Sequence, residues 1–138
     1  MKEQVLSIKQ MQELKELGID ITSASMKWAP KVRWNENGEK REVYGHILDI
    51  NYTPVGAPFW ETVDGKDTIP TFTLQDILEI IKKNVLEKDL SLDLELNLIN
   101  NQFQLTKEVD YRLYTSDGKT LLQSAFQMLK WCKQNNYI

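Results

Sequence analysis

Two residue types that carry much of enzyme chemistry are almost missing from these 138 residues: there is one histidine, His46, and one cysteine, Cys132. A lone cysteine excludes an internal disulfide framework, and one histidine with one cysteine cannot complete a zinc tetrahedron. Any Cys-His or Ser-His dyad has to pass through His46, which reads as a surface or hydrogen-bonded structural residue on a strand. Glycine and proline are scarce too, six and four residues, which excludes collagen-like and low-complexity chains. No apolar run approaches the ~18 residues that a membrane helix needs. No glycine-rich segment precedes a helix in the pattern that cradles phosphate. Neither charge sign dominates: 17 Lys+Arg against 20 Asp+Glu leave −3. With a pI near 5.2, the whole surface is unsuited to a polyanion or a membrane.

What is present is an ordinary globular composition, 41% hydrophobic and 27% charged. A chain of this length buries roughly two-thirds of its unfolded surface, enough for a true core, and is read as one domain over 1–138. The opening residues, Met1 to Gln10, have neither the continuous apolar stretch of a secretory signal nor the acid-poor composition of a transit peptide. The expected setting is cytoplasmic. Cys132, inside a helical apolar pattern, fits that setting as a small core residue.

Along the chain, Ser7 and Gln10 form a capping-box pair ahead of Ile8, Met11, Leu14 and Leu17, which predicts a helix over about 8–17 ended by Gly18. Met26, Trp28, Val32 and Trp34 alternate with Lys27, Ala29, Lys31 and Arg33, a strand with one buried face. Pro30 removes a ladder donor, so that strand is expected at an edge or bulged. Asn35 to Glu39 supplies hairpin-turn chemistry, and a return strand runs over about 40–51. The stretch 52–70 holds three of the four prolines and reads as a long irregular connection. Thr73 and Asp76 cap a second helix that ends near Leu86. Leu90, Leu92, Leu94, Leu96 and Leu98 then give the cleanest period-two signal, one face core and one face wet. Asn100-Asn101 turns the chain into Phe103 and Leu105, with an interruption near Thr106-Lys107 before Val109, Tyr111 and Leu113 resume the alternation. Thr120, with Gln123, caps a last helix reaching about Gln134.

The order α-ββ-α-ββ-α predicts an α+β domain, an antiparallel sheet of two hairpins with helices on one face. A faint echo, Leu74-Gln75 with Lys82 against Leu122-Gln123 with Lys130, fits either a ββα repeat over about 26–86 and 90–134 or shared helix chemistry.

Three stretches, Val5 to Met11 with Leu17 to Asp20 and Ala24 to Met26, then Ile69 to Leu78, then Ala125 to Cys132 with Asn136 to Ile138, cover about a third of the chain. Together they resemble small uncharacterised proteins encoded by bacteriophages and integrated mobile elements of gut-type bacteria. The resemblance implies such an origin and a cytoplasmic setting. It carries no activity.

Few surfaces offer chemistry. Glu61, Asp64 and Asp67 sit three apart in the long connection, but the spacing lacks the alternating oxygens of a calcium loop and Lys66 lies among them, so a solvated acidic turn is expected. Asp93 and Glu95 on the wet strand face serve solubility and edge protection. Between Lys27 and Arg41, five cations (Lys27, Lys31, Arg33, Lys40, Arg41) face two anions, a local +3 with Trp28, Trp34 and Tyr44 interleaved. That composition suits a single-stranded nucleic-acid platform, although the alternation turns the tryptophans inward and leaves the cations as a charged solvent face. Phe59 and Trp60, beside Pro58, are either tucked under their loop or offered to a protein partner. No motif implies a metal or a cofactor. The leading expectation is a non-enzymatic accessory protein working through protein contacts, and the alternative is a nucleic-acid-binding module using the first hairpin.

Overall fold

The computed structural model describes residues 4–34, 40–50 and 68–138, with 29–34 and 40–50 at the level of the backbone. Helix α1 (Ile8–Glu16) starts at the expected capping box: Ser7 Oγ accepts from Gln10 N–H, and the Gln10 side chain accepts from Ser7 N–H. Gly18 stops it at φ +89°, a conformation that costs glycine little. Strands β1 (Met26–Trp34) and β2 (Lys40–Ile50) form the first antiparallel pair. A short β3 (Ile69–Thr71) joins on the other side of β1. Helix α2 (Leu74–Ile81) carries the Thr73/Asp76 capping box and widens into a π-helical turn over Lys82–Leu86. Then come β4 (Leu92–Asn97), β5 (Gln102–Lys107), β6 (Tyr111–Thr115) and helix α3 (Leu121–Gln134), capped by Thr120.

The fold is α+β, but the strands form two three-stranded antiparallel sheets, β2-β1-β3 and β4-β5-β6, where one sheet of two hairpins was expected. Two details of the chain account for the difference. The strand β3 has only three residues and contains Pro70, so its composition signals a loop. Glu108 and Val109 take left-handed angles, φ 53° and 71°, and reverse the chain where an interruption within one strand was expected. Strand β1 is thereby central, yet β3 pairs only with Met26–Trp28, and the β1–β2 register slips between Pro30 and Val32. Pro30 thus sits beyond the reach of β3 and beside a bulge, where its missing N–H is tolerated. The faces expected for Val32 and Trp34 lie outside the described side chains.

The core gathers the inner stripes of all three helices and of β5: Met11 and Leu14, Ile77 and Ile81, Phe103 and Leu105, Phe126 and Leu129. Phe72, fully buried after β3, connects this cluster to the first sheet. The Leu6 carbonyl is a second link, accepting from the Trp28 indole N–H at 3.0 Å and from the buried Thr71 hydroxyl at 2.6 Å. Helix α3 lies against β5 and β6. Trp131 stacks on Tyr114 of β6 at 4.9 Å between centroids and on Tyr137 at 5.3 Å. Lys130 reaches Glu13 of α1 at 3.2 Å, a partly exposed pair that contributes at most about 1 kcal/mol.

Candidate interaction surface

The five-leucine alternation is only partly a core. Leu92 is 7% exposed and Leu94 half-buried, whereas Leu96 is 47% and Leu98 68% exposed, and Ile99 stands almost free at 93%. The expectation of one continuous core face is corrected accordingly: Leu90, 91% exposed, and Leu98 lie outside β4, and Leu96, although opposite the buried Phe103, falls outside the core cluster.

The tip that carries these residues is held by asparagines. Asn97 Oδ1 accepts from the N–H groups of Ile99 and Asn100 at 3.1 and 3.3 Å, folding the turn. Asn101 adopts φ 52°, which Asn tolerates better than most residues. Its side-chain amide donates to the Lys119 carbonyl at 3.2 Å, and its own carbonyl accepts from the Ser124 hydroxyl of α3. Gly118 lets the chain pass this anchor, since a Cβ there would lie 2.8 Å from the Ser124 nitrogen. Leu98 and Ile99 are therefore presented on a fixed turn, with little ordering left to occur when something binds.

Beside the tip, on the outer face of the sheet, lies a hollow of about 490 Å³ lined by Glu95, Leu96, Asn97, Leu98, Ile99, Gln102, Gln104 and Thr115. Glu95, Gln104 and Thr115 form one cross-strand row, and Gln104 Nε2 donates to Thr115 Oγ1 at 3.2 Å. The polar lining is one carboxylate, three amides and a hydroxyl, a set that donates and accepts hydrogen bonds.

A second hollow of similar size, between α2 and the α1–β1 connection, contains Asp20, Asp76 and Glu79. These carboxylates are already committed. Asp76 accepts from Ser25 N–H, Ser25 Oγ–H and Thr73 N–H, Asp20 from the N–H and hydroxyl of Thr22, and Glu79 from the Gln75 amide. The Thr22 bonds hold the Asp20 carboxyl below the usual aspartate range. Among the described residues no group of three or more His, Cys, Asp or Glu is arranged to hold a metal ion, and no helix is long and apolar enough to cross a membrane. Cys132 is buried in α3, and its desolvation pushes the thiol up to about 12.

The residues singled out in the sequence fall elsewhere. Lys27 is half-buried on β1, with Asp49 of β2 opposite it on one side and Pro70 of β3 on the other. Lys31, Arg33, Lys40 and Arg41 lie on the backbone of the β1–β2 hairpin, Arg33 in register with Glu42, and His46 stands opposite Pro30. Taking the hairpin through to Ile50, the five cations meet four anions (Glu36, Glu39, Glu42, Asp49), so the local +3 falls to +1 once the paired strand is included. Phe59, Trp60, Glu61, Asp64 and Asp67 lie outside the described residues. The tip itself escaped the sequence reading, which assigned Leu96 and Leu98 to the core. The usable signal was Leu98-Ile99, two consecutive apolar residues inside the asparagine-rich turn 97–101.

Compared with known proteins, the chain matches no family model, no curated protein and no solved structure.

Proposed function

We propose that this chain is a non-enzymatic interaction protein that engages a protein partner through the β4–β5 hairpin, in the cytoplasm and with the phage or mobile-element origin that the sequence resemblance implies. The observation that carries this reading is the exposed Leu98-Ile99 pair on a turn anchored by the side chains of Asn97 and Asn101. Exposed apolar residues beside a polar hollow match the composition of a contact surface, with an apolar centre and a hydrogen-bonding rim. Nucleic-acid binding is the second reading, less supported because the completed β1–β2 hairpin is near neutral. Affinity capture with the tagged full chain, compared with the Leu98→Asp/Ile99→Asp double variant, tests the proposal. A partner held by the wild type and lost from the folded variant is expected; equal retention by both, or no partner with either, overturns it. Salt-sensitive binding to single-stranded nucleic acid that disappears on replacing Lys31 and Arg33 would move the assignment to the first hairpin.

A further inference from the structure

The hydrogen bonds of the second sheet fix which way the β4 backbone points. Phe103 of β5 turns both backbone groups toward β6: its N–H donates to Ser116 Oγ at 3.1 Å, and its carbonyl accepts from Ser116 N–H at 2.8 Å. Leu96 is directly opposite Phe103. That pair therefore exchanges no ladder bonds, and by alternation Leu92 and Leu94 belong to pairs of the same kind. Two further bonds agree, since Leu92 N–H donates to the Asp89 carbonyl at 3.1 Å and Leu94 N–H to the carboxylate of the adjacent Asp93 at 2.9 Å. As β4 is the outer strand, the Leu94 carbonyl and both backbone groups of Leu96 point outward from the sheet, with no partner among the described residues.

The side chains sort by the same period. Leu94 and Leu96 share a face with Leu105 and Phe103, while the exposed Asp93 and Glu95 stand on the other. The row through Glu95 runs on to Gln104 and Thr115 and meets no cation, and the row through Asp93 reaches one, Arg112, only two strands away. A strand added outside β4 would set apolar side chains against Leu94 and Leu96 and cationic ones beside Asp93 and Glu95.

We propose that the β4 edge binds an extended segment of a partner protein, in which apolar residues alternate with Lys or Arg, by strand addition. The inference rests on the interaction reading above and names the chemistry of the partner. Charge disfavours a second copy as the occupant, because β4 paired with β4 brings Asp93 and Glu95 against the same carboxylates.

The experiment titrates the full chain, observed by amide NMR, with a peptide of alternating lysine and valine, its glutamate–valine counterpart, and an N-methylated version lacking donors on one edge. The lysine peptide is expected to bind and shift the Leu94, Glu95 and Leu96 amides, more weakly as salt rises. N-methylation should weaken binding about tenfold or more, and the glutamate peptide should fail. Leu96→Pro, which deletes an outward N–H and no ladder bond, should give the same loss, whereas Leu96→Ile should retain binding. Equal binding of the N-methylated or glutamate peptide, no binding of the lysine peptide, or self-association abolished by Leu96→Pro overturns the proposal. A cellular partner lost from the Leu98→Asp/Ile99→Asp variant but held by Leu96→Pro overturns strand addition alone and leaves the interaction reading standing.

Discussion

Leu92 and Leu98 belong to one unbroken alternation in the sequence, yet Leu92, which opens β4, is 7% exposed and Leu98, in the turn just past Asn97, is 68% exposed. The difference lies in how far the core reaches along the strand. Leu92 belongs to the core cluster and Leu94, opposite Leu105, packs against it, on a strand that meets the π-helical turn Lys82–Leu86. Leu96 and Leu98 lie outside that cluster, at the end of the hairpin that Asn101 ties to Lys119 and to α3. Period-two patterning specifies which face a side chain takes; the reach of the layer opposite decides whether that face is covered.

The largest expected break in this comparison comes from the base of the hairpin. Leu105→Ala empties a fully buried site and should cost about 2–5 kcal/mol by chemical denaturation, while Leu98→Ala should stay within about 0.5 kcal/mol. Equal costs would mean that the tip is packed after all. Next is Ser116→Ala. It leaves the N–H of the buried Phe103, near the start of β5, without its 3.1 Å acceptor and should cost about 1–3 kcal/mol. The sign reverses at the far end of the sheet. Val109, 84% exposed, sits at φ 71° in a turn closed by Asp110 N–H to the Glu108 carbonyl at 2.8 Å, a strained γ-turn geometry for a β-branched residue. Val109→Gly should stabilise the fold by about 1 kcal/mol, read as a raised melting temperature.

A further effect appears only at alkaline pH. The Cys132 thiol is raised by burial from 9.0 to about 12, so above pH 9 the unfolded chain loses a proton that the folded chain keeps. Stability should therefore fall with pH across pH 9 to 12 through this group, and Cys132→Ala should flatten that part of the profile. A thiol that reacts quickly with an alkylating reagent in the native protein at pH 8 would contradict its burial.

Much of the fold is legible in the residues because its signals are local. Ser7 with Gln10, Thr73 with Asp76, and Thr120 with Gln123 mark the three helix starts through bonds spanning three residues. The short strand β3 is not legible, since Ile69-Pro70-Thr71 has no periodicity and forms only because β1 offers an open edge. The turn at Glu108 and Val109 is hidden for the opposite reason: neither residue favours a positive φ, so the reversal is imposed by its surroundings, including the Glu108 N–H to Ser91 carbonyl bond at 2.9 Å. The candidate surface shared this fate. A leucine at a strand position reads as core unless the length of the helix layer over it is known. The basic first hairpin was visible as composition, but the anions Glu42 and Asp49 that stand opposite two of its cations became relevant only with the strand register.

The most direct test of the account is hydrogen exchange along β4 in the full chain, free and with the captured partner. The outward amide of Leu96 should exchange quickly in the free protein, while the ladder amide of Glu95 exchanges slowly. Partner binding should slow Leu96 to the rate of its neighbour. A Leu96 amide already protected in the free protein, or one whose exchange is unchanged by the partner, would contradict an open, partner-binding edge.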